Sequence, residues 1–316
     1  MVKRQISFGF HPRNATSSKN RKRRIIILAT AIFSLILASL FLILYRRAGA
    51  DVALAPSPTA TVSETVTPSA RLDQSGLAAE TGQADIDISA LSWPQSQTVN
   101  VPILMYHHIG PLPSGADDIR KGLTVSAEDF ELQMQYLQTS NYQVVTLAQM
   151  YEAVAKDGPL QKTIVLTFDD GYSDNYEVAW PILARYGFKG TFFIISGKIG
   201  QSGYMNAAQI NGLAQAGNEI GSHSVSHPDL ANLSGAKVTP EVEKSKSDLG
   251  RITGGKIVSF CYPAGKFNSV VEKAVENAGY KIAVTTQKFK PFSTDKPFEV
   301  PRLRINPGAN LKNLLK

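Results

Sequence analysis

Four of the chain's five histidines fall into two groups, His107-His108 and His223-Ser-Val-Ser-His227, and two adjacent carboxylates lie between these groups in the sequence. The carboxylates, Asp169 and Asp170, follow an apolar run and are followed by Gly171. Two neutral imidazoles and one carboxylate form a common ligand set for Zn²⁺ that leaves positions open for water and substrate. The combination therefore indicates a metal-dependent hydrolase.

Each of these patterns has a plainer interpretation when it stands alone. An Asp-Asp-Gly sequence is typical of a turn or a helix N-cap, and histidines four residues apart lie on one face of a helical turn. The His-Glu-x-x-His pattern of zinc proteases is absent, because Ser224 follows His223. Side chains that are adjacent on a strand point to opposite faces, so Asp169 and Asp170 should have different roles unless the backbone turns, which Gly171 permits.

The net charge of +7 has its origin at the N-terminus. Residues 1–50 contain ten lysines and arginines and no acid, so the rest of the chain carries 23 basic and 26 acidic side chains, a net charge of −3. This distribution argues against a nucleic-acid-binding surface, and we expect no nucleic-acid partner. Cys261 is the single cysteine, so an internal disulfide is excluded.

Residues 25–45 form an uncharged run of 21 residues, long enough to cross a hydrocarbon core of about 30 Å. Five basic residues lie closely before this run and two follow it, which predicts a cytoplasmic N-terminus. We predict a basic cytoplasmic tail (1–24), a single transmembrane helix (25–45) in the cell membrane, and an extracytoplasmic remainder. A cleaved secretory signal, favoured by the small residues 48–50, is the alternative, and it also exports the remainder.

The rest of the chain divides into a linker and a folded domain. Residues 46–100 are rich in Ala, Ser, Thr, Pro, Gln and Gly, which predicts a flexible extracytoplasmic linker. From 101 to 316, short β-branched runs alternate with helical patterns whose start signals include Ser126, Thr146 and Asn268. The pattern predicts an α/β fold, a distorted (β/α) barrel of seven or eight units, with its chemistry at the carboxyl ends of the strands. An open doubly wound sheet is the competing architecture. The predicted strands are 101–106, 142–146, 163–168, 191–195, 219–221, 257–262, 282–285 and 299–305.

The motifs, in their order, resemble those of the polysaccharide deacetylases of carbohydrate esterase family 4, the NodB homology domain. The resemblance covers roughly residues 101–305 and rests on Thr167-Phe-Asp-Asp-Gly171, Ser222-His-Ser-Val-Ser-His227 and Phe260-Cys-Tyr-Pro-Ala-Gly265. It looks closest to the branch that deacetylates poly-N-acetylglucosamine, in which the domain begins with a strand ending in Met-Tyr-His, as residues 105–107 do here.

The resemblance implies a role for each matching residue. The general base would be Asp169, and the metal ligands would be Asp170, His223 and His227. His107 would be the general acid, a role that suits an imidazole because its ordinary pKa is near 6.5. The oxyanion would be stabilised by the backbone N–H of Ala264. His108 is expected to be a structural or surface neighbour, because strand alternation points it away from whatever His107 faces.

The chain also departs from the family pattern. Many members have an arginine that orients the base where this chain has Cys261, and the usual D-x-x-D-W motif is missing. Cys261 is interpreted as a small buried residue and not as a nucleophile. We expect Arg302 or Arg304 to supply the guanidinium; the alternative is that each forms an ordinary surface salt bridge. The expected substrate-binding residues are Tyr262, Pro263 and Gly265.

These inferences predict a metal-dependent hydrolase that removes N-acetyl groups from N-acetylhexosamine residues of a cell-wall or extracellular polysaccharide, either peptidoglycan or poly-N-acetylglucosamine. The expected metal is Zn²⁺, and the ligand set is also compatible with Co²⁺, Ni²⁺ or Fe²⁺. The alternatives are an O-acetyl esterase acting on glycans and a glycan-binding protein with a degenerate catalytic site. Nothing in the motifs identifies the linkage or the oligomeric state.

Overall fold

The computed structural model describes residues 88–315. The strands of this part of the chain are β1 (Thr98–Val99), β2 (Ile103–Tyr106), β3 (His108–Ile109), β4 (Thr124–Val125), β5 (Gln143–Val145), β6 (Thr163–Phe168), β7 (Thr191–Ile194), β8 (Glu219–Ser222), β9 (Ser259–Cys261), β10 (Ile282–Lys288), β11 (Phe292–Ser293) and β12 (Val300–Arg304).

The α-helices of the same part of the chain are α1 (Asp118–Leu123), α2 (Ala127–Thr139), α3 (Leu147–Ala155), α4 (Trp180–Arg185), α5 (Ala207–Gln215), α6 (Gly235–Thr253), α7 (Ser269–Asn277) and α8 (Leu311–Leu314). A π-helical segment, Asn175–Ala179, leads into α4. Short 3-10 turns cover Ile88–Ala90, Ser196–Lys198, Leu230–Asn232 and Pro263–Gly265.

Seven parallel strands form a closed barrel. Strands β2, β12, β10, β9, β8, β7 and β6 pair in that order, and β6 pairs back to β2. Strand β5 is added alongside β6, where Gln143 pairs with Thr163. The predicted distorted barrel is therefore confirmed. The open doubly wound sheet is excluded because the pairing of β2 with β6 leaves the barrel no open edge.

Strand β6 shows how the sequence builds the barrel wall. Ile164, Leu166 and Phe168 belong to the large hydrophobic cluster that also contains residues of the surrounding helices, whereas Val165 belongs to a second cluster with residues of other barrel strands. Each large apolar side chain buried in this way contributes roughly 1.5–3 kcal/mol. Because the side chains alternate, Thr167 shares the inward face with Val165, so a polar group lies inside the barrel near the carboxyl end of the strand.

Three helices begin where the sequence predicts. The side chains of Ser126, Thr146 and Asn268 each accept a backbone N–H bond at the N-cap of α2, α3 and α7. At α3 the Gln149 side chain also accepts from the Thr146 N–H, which completes a capping box. Each cap stabilises its helix by about 1 kcal/mol.

Residues 88–100 pack against the folded domain, which corrects the predicted linker boundary. Ile88 and Val99 are buried in the same cluster as Leu147 and Met150 of α3, and β1 pairs antiparallel with β11. This stretch contains enough apolar side chains to be buried against α3, so it belongs to the domain and not to the linker.

The predicted cytoplasmic tail (1–24), transmembrane helix (25–45) and linker up to residue 87 lie outside the described residues. Between residues 88 and 315, no helix has the length and apolar character needed to cross a membrane.

Candidate active site

The two carboxylates lie directly after β6, where the strand gives way to a turn. Asp169 remains in register with the barrel, because its N–H donates to the Tyr106 carbonyl of β2 at 3.0 Å. Asp170 and Gly171 have φ values of +75° and +77°, so the extended backbone ends between the two aspartates. Asp170 is thereby freed from strict strand alternation, and both carboxylates can approach the same histidine, His223.

Asp170, His223 and His227 form a compact cluster of possible metal ligands. Asp170 Oδ1 lies 3.4 Å from His223 Nε2 and 3.6 Å from His227 Nε2. Ligand atoms that surround a tetrahedral Zn²⁺ at about 2.0–2.2 Å are separated by roughly 3.3–3.6 Å. The three side chains therefore fit a divalent cation. They lie together, as the sequence predicts.

The surroundings of the two histidines act differently on their protonation. His223 Nδ1 lies 2.6 Å from the Cys261 carbonyl oxygen. Because a carbonyl only accepts, Nδ1 carries a proton and Nε2 is the ring nitrogen that can bind a metal. Burial alone would lower the pKa of His223, but neighbouring groups, Asp170 among them, outweigh it and raise that pKa, so a bound metal would displace a proton from Nε2. Burial lowers the pKa of His227 and so favours its neutral form.

Asp169 forms a buried ion pair with Arg302 of β12. The guanidinium donates from Nη1 to Oδ1 and from Nη2 to Oδ2, both at 2.7 Å, and the Arg302 side chain is 0% exposed. Burial alone would raise the pKa of Asp169, but the charge and hydrogen bonds of Arg302 outweigh it and hold that pKa below its ordinary value. A surface salt bridge is therefore excluded for Arg302, whereas Arg304 is exposed.

Arg302 is itself fixed by further hydrogen bonds. Its Nη1 also donates to the Thr167 hydroxyl and its Nε donates to the Thr285 carbonyl, both at 2.9 Å. Thr167 was not among the site residues predicted from the sequence. A threonine at the carboxyl end of the inward face of β6, two residues before Asp169, was the signal that could have found it.

Cys261 is part of the packing around this ion pair. Its Sγ lies 3.1 Å from Arg302 Nη2 and 3.6 Å from Asp169 Oδ2. Burial raises the pKa of the Cys261 thiol, so the group is protonated at neutral pH and is a poor nucleophile. The residue that replaces the family's usual arginine therefore contacts the arginine that arrives from β12.

His107 faces Asp169 from the end of β2. Its Nε2 lies 4.0 Å from Asp169 Oδ2, and its side chain is 13% exposed. Burial lowers the pKa of His107, although the charges of Asp169 and Asp170 oppose that change. Asn175 also contacts this residue, since its Nδ2 donates to the His107 carbonyl at 2.7 Å, and it was not among the residues predicted from the sequence. No sequence signal connected these residues, because 68 positions separate them.

His108 has different partners, as strand alternation predicts. Its Nδ1 lies 2.7 Å from Asp174 Oδ2, and its Nε2 lies 2.7 Å from Arg120 Nη1. Because arginine only donates, Nε2 accepts and Nδ1 carries the proton. The imidazole also stacks on Tyr172, with ring centroids 3.5 Å apart. His108 therefore connects the segment containing α1 to the segment after β6, and does not face Asp169 as His107 does.

The third motif forms a tight turn after β9. Ala264 has a φ of +53°, and its N–H has no acceptor among residues 88–315. Gly265 also has a positive φ, of +70°, and a Cβ there would lie 2.0 Å from Thr286 Oγ1. Glycine is therefore required at this point, and the turn leaves the Ala264 N–H available to an outside acceptor.

The structure buries two of the three residues that the sequence predicts to bind substrate. Tyr262 is buried, and its ring stacks on Phe267 with centroids 4.6 Å apart. Pro263 is buried as well. Strand β9 directs the Tyr262 ring toward the helices, opposite to Cys261, because adjacent side chains alternate. The Tyr262 ring is thus a core group in this structure, and of the three residues only Gly265 is partly exposed.

A buried carboxylate beside side chains that can hold a divalent cation, at the carboxyl ends of barrel strands, is the arrangement of a metal-assisted hydrolase. The sequence profile of the family named polysaccharide deacetylase matches residues 156–283. Comparison with individual proteins extends this match over most of the domain. The chain belongs to the polysaccharide deacetylase family and is an enzyme that deacetylates polysaccharides.

Three similar proteins illustrate this membership. The Bacillus subtilis strain 168 protein that carries the name polysaccharide deacetylase YxkH is 33% identical over 211 residues, which are 66% of this chain and 73% of that protein. The poly-beta-1,6-N-acetyl-D-glucosamine N-deacetylase of Staphylococcus aureus is 24% identical over 210 residues, 62% of this chain and 72% of that protein. The solved structure of the Streptococcus pyogenes deacetylase PplD in complex with acetate has a TM-score of 0.64 at 30% identity and covers 69% of this chain and 98% of that chain.

Proposed function

We propose that the enzyme is a metal-dependent N-deacetylase that acts on N-acetylhexosamine residues of peptidoglycan or poly-N-acetylglucosamine. The observation that carries this proposal is the position of Asp169, which is held by Arg302 beside the cluster of Asp170, His223 and His227. The similarity of this chain to the poly-beta-1,6-N-acetyl-D-glucosamine N-deacetylase of Staphylococcus aureus supports an N-acetylated glycan as the substrate.

The residues of the site divide the chemistry among them. Asp169 stays ionised because Arg302 lowers its pKa, so it can take a proton from the attacking water. The bidentate pair uses one lone pair on each carboxylate oxygen and leaves others available to accept that proton. A divalent metal held by Asp170, His223 and His227 would supply the Lewis acid that polarises the acetamido carbonyl.

The reaction then needs an oxyanion donor and an acid. As the water oxygen bonds to the carbonyl carbon, the negative charge on the carbonyl oxygen is stabilised by the free N–H of Ala264. The C–N bond breaks as His107 gives a proton to the departing nitrogen, which yields acetate and a free amine. The Nε2 of His107 lies 4.0 Å from Asp169 Oδ2. The proposed base and the proposed acid are therefore close enough to act on the same acetamido group.

The localisation is part of the proposal. The uncharged run 25–45 with its basic flank would place the catalytic domain outside the cell membrane, where both substrates are found. A domain tethered in this way would reach wall material close to the membrane.

The deciding experiment measures acetate and free amine together. Full-length enzyme loaded with Zn²⁺ or Co²⁺ is incubated with poly-N-acetylglucosamine oligomers, with purified peptidoglycan and with an O-acetylated glycan, before and after chelation. We expect acetate and amine in equal amounts from an N-acetylated glycan, with loss on chelation and recovery when metal is restored. Acetate without amine would identify an O-acetyl esterase, and glycan binding without acetate would identify a binding protein.

A further inference from the structure

One acidic side chain outside the barrel holds the loop that joins His223 to His227. Glu241 of α6 accepts hydrogen bonds through Oε2 from the backbone N–H groups of Val225 and Ser226, at 3.0 and 2.8 Å. Its Oε1 accepts from the Ser226 hydroxyl at 2.7 Å. Glu241 therefore fixes the centre of the loop at three points, between the two histidines.

The loop has a backbone conformation that its sequence disfavours. Ser224 and His227 have φ values of +63° and +59°. Residues other than glycine remain in this left-handed region only when the surrounding structure holds them there. One contact inside the loop helps, because the His227 N–H donates to Ser224 Oγ at 2.9 Å. The remaining constraint must come from outside the loop.

The opposite edge of the loop is held by the turn after β7. The N–H groups of Ser196 and Gly197 donate to the carbonyls of Ser224 and Val225 at 3.1 and 2.8 Å. This approach is close, since a Cβ on Gly197 would lie 2.5 Å from the Val225 oxygen. The turn thus binds the loop's carbonyl groups, and Glu241 binds its N–H groups.

The two histidines depend on this loop to different extents. The His223 side chain is 3% exposed and is also fixed by the Cys261 carbonyl, whereas the His227 side chain is 34% exposed. We propose that Glu241 is a positioning residue that holds His227 in place beside Asp170 before a divalent cation binds. This role rests on the proposed metal-binding function of the cluster.

The test compares three variants of the full-length protein. E241A removes all three hydrogen bonds to the loop. E241Q keeps an amide oxygen that can still accept from the two N–H groups. E243A is the matched control, because Glu243 lies on the same helix, is exposed, and makes no hydrogen bond within residues 88–315. The measurements are the Zn²⁺ dissociation constant from competition with a chelating dye, the visible spectrum of bound Co²⁺, and the Tm of the metal-free protein.

We expect E241A to weaken Zn²⁺ binding by about 10–100-fold, the range typical when a group that orients a metal ligand is removed. The Co²⁺ spectrum should change with it. E241Q should lose no more than about fivefold, because a neutral acceptor replaces a charged one, and E243A should stay within about twofold. The metal-free Tm of E241A should fall by only about 4 °C or less, because water can solvate the partly exposed N–H groups.

Several results would overturn the role of Glu241. These are a Zn²⁺ affinity of E241A within twofold of wild type, an equal loss in E243A, or a failure of both E241A and E241Q to fold, which would assign Glu241 to folding. If only E241A fails to fold, the test rests on E241Q. A Zn²⁺ affinity and a Co²⁺ spectrum of E241Q equal to those of wild type would support the role. A Zn²⁺ affinity of E241Q that is 10-fold weaker than that of wild type would contradict it. Absence of Zn²⁺ and Co²⁺ binding by wild type would instead overturn the proposed metal site, and this role with it.

Discussion

Arg302 and Asp169 form an ion pair that is almost entirely removed from water. Both side chains are buried, and the guanidinium is satisfied by Asp169, Thr167 and Thr285. Taking two charges out of water is unfavourable, and the bidentate geometry with additional hydrogen bonds offsets that penalty. The pair therefore does more than add stability, because it keeps Asp169, the proposed base, ionised and fixes the direction of its carboxylate.

Replacing Arg302 by methionine should leave Asp169 buried without a counter-charge. We expect Arg302→Met to lower the free energy of unfolding at pH 7 by about 3–5 kcal/mol, the usual range for one partner of a buried pair. The pKa of Asp169 should rise, because burial is then less opposed, so the acid limb of the pH profile of kcat/KM should move to higher pH.

The sign of the stability effect follows from the lowered pKa of Asp169. Its contribution is present above the unfolded-state pKa of about 3.9 and is lost as the pH falls through the lower folded-state value. Chemical denaturation of wild type and Arg302→Met at several pH values measures this difference. Arg304→Met, at the exposed neighbouring arginine, is the control. An acid limb that stays in place in Arg302→Met would contradict the assignment of Asp169 as the base.

At the residue scale, the sequence alone indicated which side chains could lie close together. It did not indicate which arginine pairs with Asp169 or which side chains are buried. The motifs brought Asp170, His223 and His227 together correctly. They could not choose between Arg302 and Arg304, because strand alternation places both arginines on the same face of β12. The choice depends on which of the two is level with Asp169 inside the barrel, and Arg302 is buried there whereas Arg304 is exposed. Burial of the Tyr262 ring likewise depends on the face of β9 from which it projects.

At the scale of elements, the turn Pro263–Gly265 determines where the Ala264 N–H is presented. Gly265→Ala would place a Cβ against Thr286 Oγ1, within 2.0 Å, at a positive φ. The turn must then shift, and we expect kcat to fall by about 10²–10³, the effect of losing one oxyanion donor. Steady-state kinetics at saturating metal measure this loss.

Gly254→Ala is the matched control for that substitution. Gly254 also has a positive φ, of +69°, but a Cβ there meets nothing within 4 Å. It should lose about 1 kcal/mol of stability and keep its kcat. Equal losses of kcat in the two variants would show that a general loss of stability, and not the position of the Ala264 N–H, reduces turnover.

The principal strands were predictable because strands buried on both faces produce short, dense apolar runs. Thr163–Phe168 was predicted with its correct bounds, and the starts of α2, α3 and α7 were marked by their capping residues. The two-residue strands were not predictable, because a pair of residues has no period. The packing of residues 88–100 was also missed, since the composition of this stretch differs little from that of the residues before it.

At the scale of the whole molecule, the barrel brings distant segments to one end. The proposed base and Asp170 follow β6, the two histidines of the possible metal site follow β8, the proposed acid follows β2, and the free N–H follows β9. The strands of a parallel barrel all end at the same face, so residues far apart in sequence meet there.

Membrane attachment is the whole-molecule prediction that depends on the sequence outside the described residues. We expect the full-length chain to remain in the membrane fraction after a high-salt wash, and a version that begins at residue 46 to be released. Because residues 25–45 carry no charge, salt should not extract them. Full-length chain found only as a shorter soluble form would establish the cleaved-signal alternative and contradict the anchor.

The central claim, that Asp169 is the base of an N-deacetylase, is tested most directly by comparing acetate release by wild type and Asp169→Asn. The two proteins are compared on the N-acetylated glycan that wild type deacetylates, at equal metal content, with folding of both checked by circular dichroism. The asparagine keeps the shape of the side chain but cannot accept the proton from water, so the rate should fall by about 10²–10⁴. Acetate release by a folded, metal-loaded Asp169→Asn within threefold of wild type would contradict the account.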